Sequence, residues 1–148
     1  MRIHVGSDHG AVPLRRDLVE AARGWGHEVV TELGPADASG SVDYPDIAAQ
    51  LCAHVLADPG ALGLLCCGTG QGMAMAANCI PGIRAAVLSD VFSATMARAH
   101  NDANVLCLGG RVVGLGLGRA LLQAFLDARF EGGRHARRVE QLTAMQRG

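Results

Sequence analysis

The apolar run Leu64 to Cys67 passes through Gly68-Thr69-Gly70-Gln71-Gly72 straight into a helix-like run ending near Asn78. A buried strand whose carboxyl end feeds a helix through a tight glycine turn belongs to a parallel sheet covered by helices. The alternation recurs along the whole chain. Strands are expected over residues 2–7, 28–33, 61–66, 83–88 and 105–108. Helices are expected over 11–25, 45–57, from the glycine turn to about 78, over 91–100 and over 112–130, with a short basic helix after Glu131-Gly132-Gly133. Only 3% of the 148 residues are aromatic, so Ala, Val, Leu and Ile must build the core, as suits a sheet buried on both faces. The expected fold is α/β: one domain over residues 1–148, a Rossmann-like, doubly wound, five-stranded parallel sheet flanked by helices.

Charge and composition exclude several functions. The net charge is −1, which gives no global attraction to nucleic acid or anionic lipid. Few aromatics means no stacking platform for single strands. All 13 basic residues are arginine, so a Walker loop lacks its lysine and Schiff-base chemistry lacks its amine. No run reaches the roughly 18 apolar residues that a membrane span needs. The beginning MRIHVGSDHG has no signal-like apolar stretch, and the five cysteines form no C-x-x-C pair. A cytoplasmic protein with reduced thiols is expected, without membrane or nucleic-acid partners.

In doubly wound sheets ligands bind beyond the carboxyl ends of the strands. Asp8-His9, Tyr44, Cys67-Thr69, Asp90 and Gly109 to Arg111 all follow strands and share that edge. Asp8 either caps the next helix or points a carboxylate into the cleft, and His9 is either a surface residue or a proton shuttle and phosphate donor. Cys66 reads as core. Cys67 stands beside a helix N-terminus, a setting that favours thiolate, so it reads equally as core or as base or nucleophile. Gly68, Gly70 and Gly72 let backbone N–H groups converge on an anion. The spacing is wrong for a dinucleotide fingerprint, and the motif follows the third strand instead of the first. His100-Asn101-Asp102-Ala103-Asn104 is either a helix end or part of a site, in a partner subunit for instance. Arg134 and Arg138, four apart, suit a phosphate dianion, although charge alone describes a solvated tail. The six histidines show no metal-ligand spacing, and no metal or cofactor is expected.

The stretches GSDHG, VDYPDIA, CGTGQGMAMAAN, PGIRAAV, HNDANVLCLGGR and FEGGRHARRV, in this order, resemble the type B ribose-5-phosphate isomerases. Their superfamily also holds galactose-6-phosphate and allose-6-phosphate isomerases. The resemblance implies an intramolecular oxidoreductase that interconverts D-ribose 5-phosphate and D-ribulose 5-phosphate. Cys67 would be the base between C1 and C2, and Thr69 would assist proton movement at the sugar oxygens. The amides around Gly68, Gly70 and Gly72 would hold the enediolate oxygen. Asp8 and His100 would assist ring opening, and Asn101 would bind the sugar. His9, Arg134, Arg138 and Arg111 would hold the phosphate, and Tyr44 would line the pocket. The resemblance further implies a homodimer or dimer of dimers with shared sites, His100, Asn101 and Arg111 coming from the neighbour, and a C-terminal helix packed toward it.

Two features place the chain within that pattern. One branch uses a glutamate just after the glycine turn; here that position is Met73 and Cys67 is present. The usual DHAG reads Asp8-His9-Gly10-Ala11, which is expected to shift the first helix start. Three alternatives stand beside the pentose reading. They are another phosphosugar (a tetrose 4-phosphate or allose 6-phosphate), a non-catalytic phosphosugar-binding module, and a redox pair Cys66-Cys67.

Overall fold

A computed structural model describes all residues from Met1 to Gly148. Five parallel strands, β1 (Arg2–Ser7), β2 (Glu28–Leu33), β3 (Leu62–Cys67), β4 (Ala85–Val87) and β5 (Val105–Gly109), form one sheet in the order β2-β1-β3-β5-β4. The helices are α1 (Val12–Gly24), α2 (Tyr44–Ala57), α3 (Gln71–Asn78), α4 (Val91–Ala99), α5 (Leu115–Asp127) and α6 (Arg134–Gln146). The doubly wound sheet expected from the alternation is present.

Alternating side chains of the strands divide the core. Leu62, Leu64 and Cys66 of β3 pack with α1, α4 and α5 on one face. Leu65 and Cys67 pack with α2 and α3 on the other. A register shift between Ile3 and His4 skips Val30 of β2, so that Val29 packs on the first face and Leu33 on the second. The chain turns one way from β1 to β2 and the other way to β3, which places the topological switch between β1 and β3.

Several boundaries differ from expectation for local reasons. A 3-10 turn, His9–Ala11, precedes α1, because the Asp8 carboxylate accepts the Gly10 N–H at 2.8 Å and tightens the chain. Strand β3 continues through Cys67, which pairs with Gly109. Strand β4 keeps only Ala85–Val87, because the Ile83 N–H turns back to the Ile80 carbonyl and the Asn104 side chain takes the Arg84 N–H. Helix α5 starts only after Gly114 and stops at Ala128, which is extended. Helix α6 is a full 13 residues. Its end is fixed to its own chain, where Gln146 bonds Gly82 N–H and Ile83 carbonyl, and Leu142 and Met145 stay exposed.

One buried cation organises the region beside β1. Arg15 of α1 is 4% exposed. It donates to Ser7 Oγ (2.7 Å) and to the carbonyls of Leu33 (3.4 Å) and Pro35 (2.7 Å), with Glu32 Oε1 3.3 Å from Nε. Gly34, at φ +125°, lets the loop close on it, since a Cβ there would sit 2.3 Å from Arg15 Nη1. Removing the guanidinium strands two carbonyls and a hydroxyl, so Arg15→Met is expected to cost about 2–4 kcal/mol in urea unfolding. A change under about 0.5 kcal/mol would mean that water serves those groups equally well.

Candidate active site

Three strand ends meet at the switch point. The Asp8 N–H donates to the Cys66 carbonyl, the Gly110 N–H to the Cys67 carbonyl and the Arg111 N–H to the Gly68 carbonyl. Glycine at 109 and 110 permits this approach. A Cβ on Gly109 would lie 2.7 Å from the Thr69 backbone, and one on Gly110 would lie 2.9 Å from the Gly10 carbonyl oxygen.

Cys67 is 5% exposed, and its Sγ accepts the Gly70 N–H at 3.1 Å. Gly70 reaches that position at φ +81°, a conformation suited to glycine. Thr69, exposed at the lip, accepts the Gln71 N–H at 3.3 Å through Oγ1. The N–H groups of Gly68, Thr69 and Gly72 have no hydrogen-bond partner in the chain. The turn therefore offers a sulfur atom fixed by one amide, and other amides able to receive developing negative charge.

Around it stand residues from three further loops. The Asp8 carboxylate is buried and bonded to Gly10 N–H. It thus caps the 3-10 turn and lies at the cleft as well. His9 Nδ1 accepts the Val42 N–H at 3.3 Å, which leaves Nε2 of the neutral ring as the donor. The Tyr44 ring lies over Gly72, where a Cβ would be 2.6 Å from Cζ. Arg111 lies over Gly68, its Nη1 3.3 Å from where a Cβ would project. Arg111 therefore stands with its own chain's turn, a correction to its expected placement with the neighbour's residues. The Gly10-Ala11 order also has a local consequence. A Cβ at position 10 would lie 3.1 Å from Gly68 N, so glycine there leaves that amide open. Asp90, although on the same edge, is the cap of α4, its carboxylate accepting the Ser93 N–H at 2.8 Å. That bond holds its carboxyl below the usual range.

The remaining expected residues lie elsewhere. His100 ends α4, which runs back against the strands, and Asn104 at the start of β5 accepts the Gly63 N–H. Cys67 pairs with Gly109 at the far end of β5, whereas Gly63 pairs with Val105. Four residues of strand separate the two ends by about 13 Å. With His100 stand Glu131, whose N–H bonds the Ala99 carbonyl, and His135 of α6. The His100 and His135 rings stack, 4.1 Å apart and 9° from parallel. Arg134 and Arg138 flank them. The chain thus carries two half-sets: Asp8, His9, Tyr44, the Cys67 turn and Arg111 at the carboxyl edge, and His100, Asn101, Arg134 and Arg138 at the amino edge.

His135 sits inside the FEGGRHARRV stretch with no separate signal in the sequence, since Glu131, four residues before it, lies outside α6 across Gly132 and Gly133 at positive φ. His100, Glu131 and His135 bring their ligand atoms within 4.8 Å of one another, but the ring geometry does not favour a metal. In near-parallel stacked rings the in-plane lone pairs run side by side instead of meeting at a point. Burial, the neighbouring His100 and the Arg134 and Arg138 cations hold the His135 ring below its usual basicity, against the Glu131 carboxylate, whose Oε2 lies 3.7 Å from both imidazoles.

Of the other four cysteines, Cys79 is exposed, while Cys52, Cys66 and Cys107 are packed in the core. Burial pushes the Cys52 thiol up to about 11 and the Cys66 and Cys107 thiols upward as well. Cys66 and Cys67 point to opposite faces of the sheet, which removes the redox-pair reading.

A family model described as Ribose/Galactose Isomerase matches residues 3–142. The chain belongs to the ribose/galactose isomerase family. It is an aldose–ketose isomerase by class. Its fold matches that of ribose-5-phosphate isomerase B from Clostridium thermocellum with a TM-score of 0.93 and 43% identity, over 99% of this chain and 98% of that one. Ribose-5-phosphate isomerase B of Escherichia coli is 42% identical over 98% of this chain and 96% of its own. A D-erythrulose-4-phosphate isomerase of Pectobacterium atrosepticum is 39% identical over 96% and 93% of the two chains. No helix is long and apolar enough to cross a membrane.

Proposed function

We propose that this chain interconverts D-ribose 5-phosphate and D-ribulose 5-phosphate through an enediolate, with Cys67 as the base. The observation that carries the reading is the Cys67 sulfur, held by the Gly70 N–H at 3.1 Å beside the unpartnered amides of Gly68, Thr69 and Gly72. Isomerisation removes the proton at C2 and returns it at C1, while O1 gains and O2 loses a proton. It therefore needs one base, a polarised oxygen and a group that moves protons between the oxygens. Cys67 serves as the base, the amides hold the enediolate oxygen, and the Thr69 hydroxyl at the lip serves the proton exchange. Asp8 and His100 assist ring opening. Asn101 binds the sugar, and Tyr44 closes the pocket over Gly72.

The substrate's phosphate is held by His9 Nε2, Arg111, Arg134 and Arg138. Arginine forks match a phosphate dianion, and binding so far from the reacting carbons supplies orientation. Because the two half-sets stand at opposite ends of one sheet, a complete site requires a second copy. The carboxyl-edge set of one subunit meets His100, Asn101, Arg134 and Arg138 of another. The exposed Leu142 and Met145 of α6 suit burial in that contact.

The Pectobacterium relative keeps a four-carbon substrate in view. A 4-phosphorylated tetrose has no free hydroxyl with which to close a ring, so a ring-opening histidine favours the pentose. Turnover of four-, five- and six-carbon phosphosugars, with chelator present, tests the assignment. The pentose is expected to give the highest kcat/KM, by at least tenfold over the tetrose. A tetrose preference would move the substrate, and a silent enzyme on all three would leave only a binding role.

A further inference from the structure

Asp102 is the only non-glycine residue in the left-handed region, at φ +46°. Its carboxylate joins two arginines. Oδ2 accepts from Arg84 Nη2 at 2.8 Å and Oδ1 from Arg98 Nη1 at 2.8 Å. The same arginines grip the backbone, Arg84 Nε donating to the Asp102 carbonyl at 2.8 Å and Arg98 Nη1 to the Ala103 carbonyl at 2.7 Å. Arg84 precedes β4 and Arg98 lies in the last turn of α4, so one residue ties two elements together. On the other side, Asn104 Oδ1 accepts the Arg84 N–H at 2.7 Å and its Nδ2 donates to the Gly82 carbonyl at 2.9 Å.

Between these fixed points lie His100 and Asn101. The His100 N–H bonds the Met96 carbonyl, and the Asp102 N–H bonds the Arg98 carbonyl. The helix end is thus closed by backbone bonds on either side of Asn101, with Asp102 in the left-handed region. A residue held in a sparsely populated conformation by several partners commonly marks a functional constraint.

We infer that Asp102, clamped by Arg84 and Arg98, is the positioning residue that fixes His100 against His135 for its part in the isomerase reaction. This rests on the isomerase reading above. Asp102 touches no reacting atom; it acts through the course of the backbone that carries the imidazole. The ordinary alternative is that the clamp only stabilises the fold.

The test compares Asp102→Gly, which keeps the backbone conformation available and removes both ion pairs, with Asp102→Asn, which keeps shape and tolerance of φ +46° but loses the charge. Each is made in the wild-type and in the His100→Ala background. If Asp102 acts through His100, Asp102→Gly lowers kcat/KM for ribose 5-phosphate by at least tenfold in the wild-type background and less than about twofold without His100. Asp102→Asn falls between. Equal losses in both backgrounds, or none in the first, would overturn the inference. Imidazole C–H resonances of the full chain give a readout that needs no turnover. Those of His100 and His135 are expected to move in Asp102→Gly while those of His4 and His27 stay. If the wild-type chain does not isomerise the sugar yet these resonances move, the substrate assignment fails and the positioning role stands. Unmoved His100 resonances would sink the positioning role whatever the activity.

Discussion

Replacing Cys67 with alanine is expected to lower kcat on ribose 5-phosphate by about 10²–10⁴-fold, the usual worth of a positioned base. The fold should survive. Cys67 is 5% exposed and lies at the end of β3, and the only bond lost is that from the Gly70 N–H. Because a base is used in the transition state and not to hold the phosphate, KM should change less than about threefold. Cys67→Ser is expected to be nearly as inactive, since a hydroxyl in the same place is a far weaker base than a thiolate. The paired control is Cys66→Ala, one residue earlier on the opposite face. There the thiol is fully buried and pushed upward by burial. That variant should lose stability, by about 1–2 kcal/mol, and keep its kcat. Steady-state kinetics with denaturant unfolding on both variants decides the matter. An active Cys67→Ala enzyme would mean that another group takes the C2 proton.

The contrast between these neighbours shows where the sequence is informative. Alternating apolar runs and tight glycine turns specify a parallel sheet, and strand direction then places Asp8, Cys67 and Arg111 on one edge. Strand order across the sheet is not in that pattern. Strand β4 lies outside β5, and no local residue signals it. His100, Asn101, Arg134 and Arg138 stand out in the sequence, but the edge of the sheet on which they lie does not. That depends on α4 running back along the strands, which leaves His100 at the opposite edge. His135 carries no such signal, because its place comes from stacking on a residue 35 positions away. The Asp102 clamp was hidden for a similar reason. Arg84, Arg98 and Asp102 read singly as ordinary surface charges, and only the fold brings two cations onto one carboxylate.

Mixing two inactive variants is expected to restore activity. Cys67→Ala damages the carboxyl-edge half-set and His100→Ala the amino-edge one, and in a single chain these lie at opposite edges of a sheet whose β3 spans about 13 Å from Gly63 to Cys67. If each site takes one half-set from each subunit, a mixed dimer holds one site with both lesions and one with neither. Random re-association of equal amounts places half of the subunits in mixed dimers, each with one intact site, which gives about a quarter of wild-type activity. Two lesions in the same half-set, such as Cys67→Ala with Asp8→Ala, cannot complement, because no arrangement gathers an intact carboxyl edge with its partner set. Arg111→Ala sharpens the assignment. Arg111 lies over its own chain's Gly68, so it should complement His100→Ala and fail to complement Cys67→Ala. The opposite pattern would return Arg111 to the neighbour's set. Activity that never rises on mixing, with exchange of subunits verified by mass, would require each chain to build its site alone. The geometry of one sheet then demands that His100 take no part in the reaction.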